Sequence, residues 1–101
     1  MVYVILSSWP LDKGKEVGKV AMELPPIPEY LNRKMLVRDE LGVGTKCFDI
    51  YEFELSKYEE AIDHLNSRIA AFYDVPGFTC ELERWFDEQE VMEFMMKYMS
   101  K

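Results

Sequence analysis

The side chains in this chain best suited to chemistry are Arg38, Asp49, Tyr51 and Glu83, each set in an extended segment rich in apolar and aromatic residues. A carboxylate held among Tyr3, Trp9, Tyr51 and Trp85 would sit where the ionised form is penalised, a setting that suits Asp49 to take or give a proton on an organic substrate. Arg38, placed beside it, could orient an anionic group or stabilise an enolate. Tyr3, Trp9 and Trp85 would supply the ligand-binding walls. The same charges could instead bridge two copies of the sheet or sit at the wet rim of their seam.

Other chemistries find less material. Cys47 and Cys80 form no CxxC pair and no Cys/His cluster, and they read as small buried hydrophobes in a reducing compartment. The only histidine, His64, falls near Glu60 and Arg68 on the polar side of a helical stripe and is expected in solvent. No metal site, Walker loop, dinucleotide fingerprint or nucleophile elbow is present, and no cofactor is expected.

The elements that must position these groups follow from periodicity and punctuation. "VYVILSSWP", residues 2–10, is apolar on both strand faces, whereas a strand with one wet face alternates. Asp12 is placed to cap a helix carrying Val17, Val20, Ala21 and Leu24, which Pro25, Pro26 and Pro28 end. Two extended runs then flank Gly42 and Gly44. Pairing them with Val37 opposite Phe48, Met35 opposite Ile50, Arg38 opposite Cys47 and Leu36 opposite Asp49 gives one wholly apolar face. Ser56 and Glu59 form a capping-box pattern before the stripe Tyr58, Ala61, Ile62, Leu65, Ile69 and Phe72. Pro76–Gly77 precedes a last strand, "FTCELERWF", and Asp87 with Glu90 opens a terminal helix.

The order β-α-β-β-α-β plus a helix is the split βαβ arrangement of an α+β, ferredoxin-like antiparallel sheet, in one domain over residues 1–101. Right-handed crossovers put both main helices on one face. They are expected to bury Val2, Val4, Leu6, Met35, Val37, Phe48, Ile50, Cys80 and Leu82. The bare face would then carry Tyr3, Ile5, Trp9, Leu36, Arg38, Cys47, Asp49, Tyr51, Phe53, Glu81, Glu83 and Trp85. So aromatic a surface calls for a cover, and a second copy packed sheet to sheet supplies one.

With that order, the aromatic strands "VYVILSSWP", "CFDIYEFEL" and "CELERWF", and the added helix, the chain resembles the dimeric α+β barrel superfamily over nearly its whole length. The resemblance is architectural. It implies a homodimer whose sheets meet, a small organic ligand between sheet and helices in many members, and activities that include cofactor-independent monooxygenases and isomerases alongside binding modules. A non-catalytic assembly or regulatory module is the other reading it allows. The haem-binding relatives need an axial ligand, which His64 is badly placed to supply.

A net charge of −7 disfavours nucleic acid and anionic membranes as partners. No apolar run approaches the ~18 residues of a membrane span, and the N-terminal strand lacks a signal-peptide pattern, so a cytoplasmic protein is expected. "EVMEFMMKYM" is apolar nearly all round, which suits packing across a dimer or against the protomer's own core.

Overall fold

The computed structural model describes residues 1–99. It is an α+β protein whose elements run β1 (Val2–Pro10), α1 (Gly14–Glu23), β2 (Asn32–Glu40), β3 (Gly44–Glu52), α2 (Tyr58–Ala70), β4 (Thr79–Trp85) and α3 (Glu88–Met99). The four strands form one sheet in the order β2-β3-β1-β4, with every neighbouring pair antiparallel. The crossover through α1 therefore passes over β3, and the crossover through α2 passes over β1. No helix among the described residues is long and apolar enough to cross a membrane.

Two of the three expected helix caps do not form. Asp12 lies inside a 3₁₀ turn at Leu11–Lys13, and α1 starts at Gly14 with no side-chain cap. A second 3₁₀ turn at Leu55–Lys57 takes up Ser56, so α2 starts at Tyr58, again uncapped by a side chain. Ahead of α3 the box does close. The Glu90 N–H donates to Asp87 Oδ1 at 2.8 Å, and the Asp87 N–H donates to Glu90 Oε1 at 3.4 Å.

The β2–β3 hairpin differs from expectation by one residue. Leu36 faces Phe48, Met35 faces Asp49, Val37 faces Cys47 and Arg38 faces Lys46. The cause is the parity of the loop: β2 ends at Glu40 and β3 begins at Gly44, leaving three loop residues, with Gly42 at φ 75°. Glycine reaches that left-handed conformation without the Cβ penalty, and an odd loop shifts the pairing by one, which exchanges the two faces of β3 relative to β2.

That shift also corrects the assignment of faces. The core beneath the helices gathers Ile5, Leu31, Tyr51, Phe53, Ala61 and Leu65, with Tyr3, Cys80 and Leu82 packed against it. The helices thus cover Tyr3, Ile5, Trp9, Cys47, Asp49 and Tyr51, the set expected on the bare face. Across the register, Val2, Val4, Leu6, Phe48 and Ile50 lie on the opposite face with Leu36, Arg38, Glu81, Glu83 and Trp85. Cys80 and Leu82 on β4 pack against the core as expected, whereas Met35 and Val37 on the edge strand β2 stay 50% and 56% exposed and are not buried by the helices. Tyr51 is 0% exposed and a residue of its size contributes roughly 1.5–3 kcal/mol by burial. That gain favours putting the aromatic set under the helices.

The open face keeps Leu36 and Trp85 exposed, and α3 is exposed at every residue from Val91 to Met99. An Arg84–Glu90 ion pair of 3.3 Å ties its first turn to β4.

Candidate ligand-binding site

A cavity of about 100 Å³ lies between the covered sheet face and the two helices. Its floor is Ile5, Ser7 and Trp9 from β1, Cys47, Asp49 and Tyr51 from β3, and Arg33 and Met35 from β2. Its roof is Val17, Ala21 and Leu24 with Arg68, Ile69 and Phe72. These positions converge because antiparallel strands place paired residues on one face. Arg33 faces Tyr51 across the β2–β3 ladder, and Met35 faces Asp49 one pleat on. Three rings close one end, with Trp9 stacked on Phe78 at 5.9 Å and Phe78 on Phe72 at 4.7 Å.

The polar end is organised around Asp49, which is 8% exposed. Arg33 donates from Nε to Asp49 Oδ1 at 3.0 Å, and a terminal guanidinium nitrogen stands 2.9 Å from the same oxygen as an ion pair while donating to Met35 Sδ at 3.3 Å. The Cys47 thiol donates to the other oxygen, Oδ2, at 3.7 Å. Burial, with the Asp49 carboxylate adding to it, pushes that thiol up to about 11, so Cys47 is a protonated donor near neutrality. The Arg33 guanidinium also stands 6.0 Å from the centre of the Tyr51 ring.

The Tyr51 hydroxyl is buried and has no hydrogen-bond partner. Burial raises the phenol above its ordinary range, with the Asp49 charge acting in the same direction and the Arg33 and Arg68 charges opposing both. It is therefore a neutral O–H that lacks an acceptor. Arg68 stands near enough to act on it and on His64, and also makes a long donation of 3.4 Å to the Pro25 carbonyl. Leaving such a hydroxyl unmatched costs on the order of 1–3 kcal/mol, and a group in that state marks a place where something else can bind.

The expected site residues divide between the two faces. Asp49, Tyr51 and Trp9 line the cavity. Tyr3 is on the same face but beyond its far end, stacked on Phe53 at 5.8 Å and bonded to the Tyr58 hydroxyl at 3.4 Å. Arg38, Glu83 and Trp85 are on the open face, so Arg38 is not the partner of Asp49. Glu83 accepts from the Trp85 indole N–H at 3.1 Å, and the Trp85 ring meets Phe48 edge-on at 6.0 Å. His64 is half-buried rather than in solvent. Its Nε2 is buried without a partner, and desolvation, with the Arg68 charge, lowers its basicity.

Arg33 and Arg68 are the functional candidates that the sequence reading missed. Both carried a signal. Arg33 shares strand parity with Met35 and Val37, and Arg68 falls three residues after Leu65 and four before Phe72 on the apolar stripe of α2. A cation at the border of an apolar stripe finds a counter-charge, a ligand or water for its head. Among the described residues no three His, Cys, Asp or Glu side chains come together as metal ligands.

Comparison with protein-family models, with curated proteins and with solved structures gives no match for this chain.

Proposed function

We propose that this protein binds a small organic ligand in the cavity between its sheet and its helices, and that it does so as a ferredoxin-like homodimer of the dimeric α+β barrel kind. The observation that carries the ligand reading is the Tyr51 hydroxyl, wholly buried at the polar end of an otherwise apolar cavity and without a partner. The split βαβ connectivity supports the ferredoxin-like assignment. With Asp49 paired to Arg33 through Oδ1 and accepting from Cys47 through Oδ2, binding is favoured over proton transfer as the work of the site.

The dimer rests on the open face, where Leu6, Leu36, Phe48 and Trp85 form an apolar surface with Arg38 on one side and Glu81 and Glu83 on the other. Opposite charges at opposite edges let two copies meet about a two-fold axis with complementary rims. Exposed Met92, Phe94, Met95 and Met96 on α3 add apolar surface for the same partner. This surface also favours the second reading, an assembly module that works through its sheet face and leaves the cavity unused.

Native mass spectrometry separates these readings. A dimer that carries a small-molecule adduct, weakened by Tyr51→Phe while the dimer persists, is the expected result. A bare dimer that takes up no small molecule would leave the assembly module, and a monomer would remove the sheet-face dimer.

A further inference from the structure

The hydrogen-bonding inventory of the cavity says more about its ligand, and this step rests on the ligand reading above. The cavity's charged residues are Arg33, Asp49 and Arg68. Arg33 and Asp49 satisfy one another. Arg68 is then left as one net positive charge, in a chain whose overall charge is −7. Its guanidinium can only donate. The Tyr51 hydroxyl is the second free group, and its proton has no acceptor. Both Asp49 oxygens already accept, one from Arg33 and one from Cys47. The polar end thus presents unmatched donors and a single uncompensated cation, while Ile5, Ile69 and Phe72 make the rest of the wall apolar.

We infer that the ligand is a small organic monoanion, a monocarboxylate with an apolar body, whose carboxylate accepts from Arg68 and from the Tyr51 hydroxyl. A cation would meet Arg68 at close range. A neutral acceptor would match the two donors but gain nothing from the Arg68 charge. A dianion would exceed the one positive charge available. The apolar wall selects against acetate, which leaves it unfilled, and a cavity of about 100 Å³ is smaller than the ~150 Å³ that holds a benzene ring, so a short branched chain fits and an aryl group does not.

The test is a titration of the protein, followed by amide chemical shifts, with a panel of monocarboxylates from acetate through isobutyrate and isovalerate to phenylacetate, each beside its neutral primary amide. Charge-assisted hydrogen bonds of this kind correspond to about tenfold or more in affinity, so isobutyrate should bind at least about tenfold tighter than isobutyramide, and phenylacetate should bind more weakly than either branched acid. Shifts should centre on Ser7, Cys47 and Ile69. The preference should vanish in Arg68→Ala and fall several-fold in Tyr51→Phe, which keeps the ring and its packing. Amides that bind the cavity as tightly as their acids, or a preference that survives both substitutions, would overturn the anion inference and leave the ligand reading standing. If no member of the panel moves a cavity amide, the ligand reading fails and takes the inference with it.

Discussion

Replacing Tyr51 by phenylalanine should make the ligand-free protein more stable, which reverses the usual outcome for a buried tyrosine. A typical buried hydroxyl makes a hydrogen bond, and its loss costs about 1 kcal/mol. Here the ring is 0% exposed and the hydroxyl has no partner. Its desolvation, worth on the order of 1–3 kcal/mol, is uncompensated, and phenylalanine relieves it without opening a cavity larger than one oxygen atom. Part of that relief is offset by the favourable field of Arg68 and Arg33 on the oxygen. A net gain of about 1 kcal/mol is therefore expected, equivalent to roughly 4–8 °C in Tm for a domain of this size. Thermal unfolding followed by circular dichroism reads it directly, with urea unfolding as the check on two-state behaviour. A loss of 1 kcal/mol or more would refute the reasoning, because it would mean that the hydroxyl donates to a stable acceptor in the empty cavity. The site would then lack the unmet donor on which the ligand reading depends.

Asp49→Asn removes the counter-charge of Arg33 at nearly constant shape. Because the Arg33 side chain is 29% exposed, water recovers part of the loss, and a cost of about 1–2 kcal/mol is expected in urea unfolding rather than the 3–5 kcal/mol typical of a fully buried pair. An unchanged midpoint would show that the pair contributes nothing. The Cys47 thiol, pushed up to about 11, keeps its proton in the folded state at pH values where the unfolded thiol, near 9.0, has lost it. Its contribution is complete below the unfolded value and declines as pH rises through the folded one, so the stability of the wild type relative to Cys47→Ala should fall between pH 9 and about 11; parallel profiles would contradict this. A Cβ on Gly44 would collide with the Trp9 carbonyl oxygen, whereas one on Gly42 meets open space and only the strain of φ +75°. Gly44→Ala should thus cost about 1–3 kcal/mol of stability and exceed the ~1 kcal/mol of Gly42→Ala; the reverse order would argue against the three-residue loop.

Local signals determined much of this protein. The first strand is apolar on both sides, and the helices cover one of them, burying Ile5. The alternation of Cys80 and Leu82 with Glu81 and Glu83 correctly oriented β4. The Asp87–Glu90 box and the apolar stripe of α2 placed their helices, since each depends on contacts only three or four residues apart. What the sequence left undecided was which face of β1 and β3 the helices would cover. Strand periodicity of two defines two faces without ranking them, and both were apolar enough to serve as a core. The decision came from an odd loop of three residues at Gly42, which set the register, and from Arg33, whose charge made Asp49 tolerable beneath the helices. Both are tertiary facts. A loop's backbone conformation and an ion pair between residues 16 apart emerge only when the strands are laid side by side.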